Sequence, residues 1–187
     1  MTIEQIRNKL EHELSPKRYT HSVNVMKTAI ELAAKYGVDV KKAEMAGILH
    51  DCARNIKGEE ALRLCRKFGI DVDNISKIQT ELLHGPLGSV LAREEYGIED
   101  ESVLAAICWH TTGRENMDML EKIIFTADFI EPGRKFAGVE DVRKQAFIDI
   151  SKAVLMSLDC TIHYVIAKGA LIHPATIHAR NYIILNG

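Results

Sequence analysis

Histidine and aspartate side chains are the residues of this sequence that could carry chemistry together. The chain has eight histidines. Four of them, with two aspartates, fall within or at an end of successive predicted helices. The six positions are His21, His50, Asp51, His84, His110 and Asp128. Helices packed around a common centre can each direct a side chain inward, which is how metal sites form inside helical bundles.

The residue types in this set indicate which metals it would hold. Four imidazoles with two carboxylates suit iron, manganese, zinc or cobalt better than calcium or magnesium alone. Neighbouring helical residues point about 100° apart, so the adjacent His50 and Asp51 bind one ion most easily where their helix ends. A single histidine beside apolar residues is most often structural or exposed, and that interpretation is kept for His12 and His163.

The elements that would position these residues are helices. Only four prolines and 12 glycines interrupt the chain. Its apolar residues recur at three- and four-residue spacing, which predicts an all-α bundle. Residues typical of N-caps and glycine stops set the boundaries. The predicted helices run from Thr2 to Leu14, from Pro16 to Tyr36, from Asp39 to Leu49, over 59–68 and 72–82, from Gly85 to Tyr96, from Asp100 to Trp109, from Asp118 to Glu131, over 147–168, and onward from Pro174.

Composition and charge limit the function. The chain has 187 residues, of which 47% are hydrophobic, and a formal net charge of −2. These values are typical of one folded domain and lack the positive field that duplex nucleic acid needs. Charges interrupt every apolar run that approaches the roughly 20 residues of a membrane helix, so no membrane partner is predicted and a cytoplasmic protein is the simplest interpretation. Four separated cysteines form no C-x-x-C pair, which disfavours a disulfide framework.

Several longer strings resemble a known family. The order H…HD…H…H…D is that of the HD-domain metal-dependent phosphohydrolases. Within that superfamily the chain is similar, over roughly residues 16–183, to the bacterial YqeK-type symmetrical diadenosine tetraphosphate hydrolases. The strings that carry the resemblance are PKRYTHSVNV (16–25), ELLHGPLG (81–88), HTTG (110–113), ADFIEPGR (127–134) and LIHPATIHARN (171–181).

The resemblance implies a fold and a set of ligands. The expected fold is a single all-α HD domain over 1–187, with a metal site in the helix core (16–130) and C-terminal helices (131–187) that contribute to the nucleotide site. One implied metal is held by a set of four residues: His21, His50, Asp51 and Asp128. His84 and His110 hold a second, Asp51 bridges the two, and Asp51, His84 and His110 are the implied catalytic residues.

The resemblance also implies a reaction. A metal-activated hydroxide at a dinuclear site would split a dinucleoside tetraphosphate symmetrically into two nucleoside diphosphates. Iron is the implied metal, with manganese or cobalt as substitutes. The expected partner is a small-molecule dinucleotide, with neither nucleic acid nor membrane, and a homodimer is compatible with the sequence.

Side chains next to the ligands are candidates for binding the phosphates. Arg18 lies three residues before His21, on the same helix face. Arg54 and Asn55 follow the His50-Asp51 pair, and Arg134 lies just beyond Asp128. Guanidinium groups suit bidentate phosphate contacts, although an arginine with no such neighbour is usually only solvated. The remaining substrate-binding candidates lie beside ligands or in a late loop: Gly85, Thr111, His173 and Thr176.

Two other functions are compatible with the pattern. An HD hydrolase could act on a different nucleotide, such as a nucleoside monophosphate or a guanosine polyphosphate. A degenerate HD fold could bind nucleotides without catalysis, although the intact ligand set argues against this. The chain contains neither G-x-S-x-G nor G-x-x-x-x-G-K-[ST], so a serine-hydrolase elbow and a P-loop are not predicted.

Overall fold

Helix caps determine where most elements of this chain begin. Ser15, Asp39 and Asp100 each accept hydrogen bonds from backbone amides in the first turn of the helix that follows. Thr2 and Asp118 form reciprocal capping boxes with the side chain three residues later. These side chains satisfy N–H groups that have no partner inside the helix. The helix starts predicted at these positions are therefore confirmed.

The computed structural model describes residues 1–186, which contain eleven α-helices, one 3-10 helix and no strand. The α-helices are α1 (Ile3–Glu13), α2 (Pro16–Tyr36), α3 (Val40–Leu49), α4 (Gly58–Phe68), α5 (Asn74–Ile78), α6 (His84–Tyr96), α7 (Glu101–Trp109), α8 (Met119–Ile130), α9 (Val139–Ala146), α10 (Ile150–Ala167) and α11 (Pro174–Asn186). The 3-10 helix spans Thr80–Leu83, between α5 and α6. The predicted all-α class is confirmed.

Three segments differ from the prediction. The continuous helix predicted over 72–82 is instead the short α5 followed by the 3-10 helix, because Gln79 leaves the helical conformation between them. Helix α9 is not predicted from the sequence, since it follows Gly138 at φ 90° and has no side-chain cap to mark its start. Helix α10 begins at Ile150 rather than at 147, because Asp149 caps its first turn.

Two glycines allow helices to approach closely near the predicted ligands. A Cβ atom on Gly47 of α3 would lie 2.7 Å from Cα of Met26 in α2, so the two helices pack closely at this glycine. A Cβ on Gly85 of α6 would lie 2.4 Å from the carbonyl oxygen of Cys108 in α7. Real Cβ atoms cannot occupy such positions, and only glycine fits. The two contacts bring α2 beside α3, and α6 beside α7.

The main core includes buried apolar side chains from the four helices that carry or precede most of the predicted ligands. They come from α2, α3, α7 and α8 and include Val25, Leu32, Ile48, Leu49, Ile107, Ile123 and Ile124. Apolar burial of this kind stabilises by about 25 cal/mol per Å² removed from water, which is enough to hold the helix ends together.

Helix α10 has the length and composition of a helix that could cross a membrane. Helix α10 contains two charged residues, Lys152 and Asp159, and still meets these criteria of length and composition. The prediction that charges interrupt every such run is therefore wrong for this helix. A long core helix of a soluble protein meets the same criteria. Part of α10 packs inside the protein, including Ala153, Val154 and Leu158, so this helix alone is weak evidence of a membrane span.

Candidate metal centre

Five helices bring the six predicted ligands to one place. Each ligand lies in a helix or directly after one: His21 in the second turn of α2, His50 and Asp51 after the end of α3, His84 at the start of α6, His110 after the end of α7, and Asp128 near the end of α8. Their nitrogen and oxygen atoms form three overlapping triplets, and within each triplet all atoms lie within 4.8 Å of one another. The structure therefore brings all six together.

The carboxylate of Asp51 lies between two groups of imidazoles. Its Oδ2 atom is 3.6 Å from Nε2 of His21 and 3.4 Å from Nε2 of His50. Its Oδ1 atom is 3.2 Å from Nε2 of His84 and 3.8 Å from Nε2 of His110. Asp51 is only 2% exposed. One carboxylate thus contacts both groups, with one oxygen for each.

The remaining contacts complete each group. Asp128 belongs to the His21 and His50 group, since its Oδ1 is 3.0 Å from Nε2 of His21. In the other group, the Nε2 atoms of His84 and His110 are 3.0 Å apart.

Backbone carbonyls orient three of the four imidazoles. The Nδ1 atoms of His50 and His110 lie 2.8 Å and 2.7 Å from the carbonyl oxygens three residues earlier in the chain. Nδ1 of His84 pairs in the same way with the carbonyl of Glu81 in the 3-10 helix. When Nδ1 donates its proton, Nε2 carries the free lone pair, and here Nε2 faces the centre. Hydrogen bonds of this kind fix the tautomer and ring direction of histidine ligands.

Glu131 orients the fourth imidazole, and the sequence did not predict this role. Its Oε1 atom lies 3.2 Å from Nδ1 of His21, and its Oε2 accepts from Nδ2 of Asn24 at 3.0 Å and from the amide of Gly133 at 2.6 Å. The sequence identifies Glu131-Pro132-Gly133 only as a helix stop. Asn24 carried a usable signal, because it lies one turn after His21 on the same face of α2. Glu131 carried none, since His21 and Asn24 are distant from it in the chain.

Arg143 holds the turn that carries Glu131. Its Nε donates to the carbonyl of Ile130 at 2.7 Å, and its Nη2 donates to the carbonyls of Glu131 and Arg134, both at 2.8 Å. Its Nη1 pairs with the exposed carboxylate of Glu140. One guanidinium from α9 therefore fixes the backbone between the end of α8 and Arg134.

The surroundings keep the aspartates ionised. Burial opposes ionisation of Asp51, but the charge of His50 and the polar contacts of Asp51 with His110, His50 and His84 outweigh it and hold the pKa of Asp51 well below its usual value. Burial also opposes ionisation of Asp128, and its contact with His21 and the charge of Arg134 lower its pKa in the same way. Both carboxylates are thus available as anionic ligands.

The imidazole of His84 is kept neutral. Its pKa is lowered to about 4, chiefly by burial, which outweighs its contact with Asp51. A neutral imidazole offers a lone pair, whereas an imidazolium cannot bind a metal.

The donor set fits transition-metal ions. Inward Nε2 lone pairs combined with ionised carboxylates suit iron, manganese, cobalt or zinc, which accept nitrogen and oxygen ligands. Each His ligand also has the outer hydrogen bond that such sites normally need. The chain therefore provides both a suitable set of ligand atoms and the outer hydrogen bonds that hold the imidazoles in place.

Three of the predicted phosphate-binding arginines contact ligands. Arg18 donates from Nη1 to Oδ2 of Asp51 at 2.6 Å, and Nη1 of Arg54 lies 2.9 Å from Nδ1 of His84. Arg134 donates to Oδ1 of Asp128 at 2.5 Å and to its carbonyl oxygen at 2.8 Å. The hydroxyl of Thr111 lies 3.1 Å from Nε2 of both His84 and His110. Arg18, Arg54, Arg134 and Thr111 therefore border the centre.

Four other predicted substrate-binding residues are engaged elsewhere. Asn55 is exposed and donates to the carbonyl of Glu13, away from the centre. His173 pairs with Asp73 at 3.1 Å, in a small cavity that Thr111 also lines. Thr176 is buried in the first turn of α11. The carbonyl of Cys108 packs directly against Gly85, so this glycine allows close helix packing rather than close approach of a substrate.

Comparisons with known proteins agree with this arrangement. The HD domain family matches residues 18–133. A Halalkalibacterium halodurans protein named symmetrical bis(5'-nucleosyl)-tetraphosphatase is 47% identical, over 92% of this chain and 91% of that protein. A Bacillus subtilis protein of the same name is 39% identical over 94% of each.

A solved structure extends the match to the whole fold. The crystal structure of a Clostridium acetobutylicum protein, described as an HD superfamily hydrolase involved in NAD metabolism, superimposes with a TM-score of 0.97 and 48% identity. The match covers 100% of this chain and 99% of that one. The chain therefore belongs to the HD domain family, in the branch of the symmetrical bis(5'-nucleosyl)-tetraphosphatases.

Proposed function

We propose that this chain hydrolyses dinucleoside tetraphosphates symmetrically, so that diadenosine tetraphosphate gives two molecules of ADP. The names of its relatives support this activity. The structural observation that carries the proposal is the position of Asp51, whose two oxygens each contact a separate pair of imidazoles. A shared carboxylate suits a centre of two ions, which is a recurrent arrangement in enzymes that cleave phosphate linkages.

As an HD domain protein, the chain binds divalent metal. The ligands proposed for one ion are His21, His50, Asp51 and Asp128, and those for a second ion are Asp51, His84 and His110. When bound, the ions supply a nucleophilic water near neutral pH and polarise phosphate oxygens. The proposed physiological metal is iron, with manganese or cobalt as substitutes, because mixed imidazole and carboxylate ligands suit all three.

The chain's own cations hold the substrate. Arg18, Arg54 and Arg134 surround the ligands, and a guanidinium forms bidentate bonds to phosphate. Their charges offset those of the tetraphosphate and fix its position relative to the centre, which contributes both binding and orientation. The hydroxyl of Thr111, between His84 and His110, is proposed to donate to a phosphate oxygen.

The proposed division of the chain follows from these positions. Residues 16–130 provide all six ligands, whereas 131–187 provide Arg134 and the helices beyond it, within a single domain. The proposed partner is a small-molecule dinucleotide, and the proposed location is the cytoplasm.

Product analysis tests the function. Iron-loaded, anaerobically purified protein is incubated with diadenosine tetraphosphate, beside a metal-free control, and the products are separated by anion-exchange chromatography. ADP as the sole product, formed only with metal, is expected. AMP together with ATP would retain a metal hydrolase and overturn symmetric cleavage. Firm nucleotide binding without turnover, across a wider substrate panel, would instead favour a binding module.

A variant of Arg134 tests the role of the arginines. Arg134→Ala is expected to raise KM roughly tenfold or more, since a charge-assisted hydrogen bond to phosphate is lost. Lys144→Ala, which removes an exposed cation of α9, is the matched control and is expected to keep the wild-type KM. Unchanged KM and kcat in Arg134→Ala would show that this guanidinium does not bind substrate.

A further inference from the structure

Two cavities of similar size flank the metal centre, and their linings differ in chemistry. The first, of about 650 Å³, carries Lys17, Arg18 and Lys135, and we call it the cationic pocket. The second, of about 710 Å³, carries Phe129, Phe136 and Tyr164, and we call it the aromatic pocket. Both volumes lie in the range of roughly 300–1,000 Å³ that small-molecule sites occupy. Neither pocket was recognised from the sequence.

The two pockets meet at one strip of chain. Arg134 and Phe136 line both cavities. Arg134 also donates to Asp128, so the boundary between the pockets lies directly at the metal centre. A ligand that crosses this boundary has to pass Arg134.

Each pocket has its own arginine, and each arginine contacts a different part of the centre. Arg18, in the cationic pocket, binds Oδ2 of Asp51, the oxygen that faces His21 and His50. Arg54, in the aromatic pocket, contacts the ring of His84 at the opposite end. Each pocket is therefore linked through its own arginine to one of the two groups of ligands.

From this arrangement we infer that the two nucleosides of one substrate occupy unlike pockets. One base packs against Phe136 and Tyr164 in the aromatic pocket, the other nucleoside lies in the cationic pocket, and the tetraphosphate crosses Arg134 between them. The inference rests on the proposed function, since only a dinucleotide has two nucleosides to place. It assigns Phe136 and Tyr164 as base-binding residues and Lys17 as a contact of the other half.

The chemistry of the aromatic pocket fits a nucleobase. Phe136 and Tyr164 are large aromatic residues that are 42% and 64% exposed, so their apolar surface is free for a ligand. Phe129 packs edge-to-face on Phe136, with ring centroids 5.0 Å apart, and holds that ring in place. Bases of every type stack on aromatic side chains, because each has a π-face. The pocket therefore favours a base without selecting strongly among bases.

The arrangement also accounts for cleavage in the middle of the substrate. When one nucleoside diphosphate half lies on each side of Arg134, the phosphoanhydride that joins the halves lies at the boundary, beside the six ligands. Binding each half in its own pocket therefore selects the central bond without any group that measures the length of the phosphate chain.

Equilibrium binding of ADP to the metal-loaded protein, by calorimetry, tests the inference. Two ADP molecules per chain are expected, with different affinities. Tyr164→Ala is expected to weaken one of them roughly tenfold, as loss of base stacking does. Tyr164→Phe keeps the ring and should restore that affinity, whereas Lys17→Ala should weaken the other site. Phe147→Ala, which truncates an aromatic residue of similar exposure outside both pockets, is the matched control.

Inorganic pyrophosphate is the second probe, because it has no base. Tyr164→Ala should leave its affinity unchanged. A single ADP site per chain, unchanged ADP binding in Tyr164→Ala, or an equal loss for pyrophosphate would each overturn the inference. Turnover measurements distinguish failure of this inference from failure of the proposed function. If the protein forms ADP but its ADP binding does not respond to these substitutions, only the two-pocket inference fails. If two base-dependent sites are found but diadenosine tetraphosphate is not cleaved, only the proposed function fails.

Discussion

The carboxylate of Glu131 lies 3.2 Å from Nδ1 of His21, although 110 positions separate the two residues. Burial opposes ionisation of Glu131, but the amide of Gly133 and hydrogen bonds from His21 and Asn24 outweigh it and lower its pKa. The ionised carboxylate directs Nε2 of His21 at Asp128 and Asp51.

Glu131→Gln should therefore weaken metal binding. Loss of such an outer carboxylate typically costs 10–100-fold in metal affinity. Competition of the protein with a fluorescent chelator for manganese measures this. Glu99→Gln, which changes an exposed carboxylate in the segment between α6 and α7, serves as control. Equal manganese affinities in Glu131→Gln and wild type would contradict the orienting role.

Arg143→Lys tests the turn that carries Glu131. A lysine ammonium cannot donate in a fixed fork to three carbonyls, so the conservative change should fail to preserve the turn. A free energy of unfolding lower by about 1–3 kcal/mol is expected from unsatisfied carbonyls, with weaker manganese binding. Urea unfolding and the chelator assay measure the two effects. A wild-type free energy of unfolding together with wild-type manganese affinity in Arg143→Lys would show that water replaces the guanidinium without consequence.

Asp51→Ala should remove metal from both groups of ligands, because each group depends on one of its oxygens. His84→Ala removes a ligand of one group only and should retain about half the metal of the wild type. Metal analysis by mass spectrometry measures the stoichiometry, and circular dichroism checks that the helices persist. Equal metal loss in the two variants would argue against a shared carboxylate.

Gly85→Ala should separate α6 from α7. The added methyl group would meet the carbonyl of Cys108, and overpacking of this kind costs about 1–3 kcal/mol. Because His84 precedes Gly85, metal affinity should fall as well. Gly88→Ala is the control in the same helix, since the nearest atom to its Cβ would be Cγ2 of Ile107, at 3.3 Å. If Gly85→Ala and Gly88→Ala lower the unfolding temperature equally, this explanation is contradicted.

Asp100 should make stability depend on pH. Its hydrogen bond from Lys42 lowers its pKa to about 2, with help from Ser102 and the amide of Val103. The folded-state pKa lies below the ordinary value of about 3.9, so the ionised carboxylate stabilises the fold above that pH, and the contribution is lost as the pH falls towards 2.

Asp100→Asn keeps a capping oxygen but does not ionise. The difference in free energy of unfolding between wild type and Asp100→Asn should therefore shrink between about pH 4 and pH 2. Urea unfolding at stepwise pH measures it, with the exposed Glu101→Gln as control. A difference that is constant with pH would rule out this contribution.

The sequence predicted those parts of the site that depend on local patterns. His21, His50, His84, His110 and Asp128 each lie in or directly after a different helix, so the packing of those helices can place them near one another. Caps such as Asp39 are equally local, which is why most helix starts were correct. The break between α5 and the 3-10 helix escaped prediction because Gln79 carries no breaker signal.

What the sequence did not predict depends on contacts between distant segments. Glu131 and Arg143 act through partners that only the packing of α2, α8 and α9 brings near. Tyr164 carries no sequence signal of a pocket, and its cavity exists only because α10 lies beside the turn after α8. Asn55 shows the opposite case, since proximity in sequence to Asp51 did not place it at the centre.

The direction of two helices has an electrostatic consequence for the centre. Helices α3 and α7 both end at a ligand, His50 and His110, so their C-terminal ends converge there. The C-terminus of a helix carries partial negative charge, equivalent to about half an elementary charge. The backbone alone thus attracts cations to this point and repels phosphate. Arg18, Arg54 and Arg134 reverse that repulsion at the rim, so a polyanion meets positive charge before it meets the helix ends.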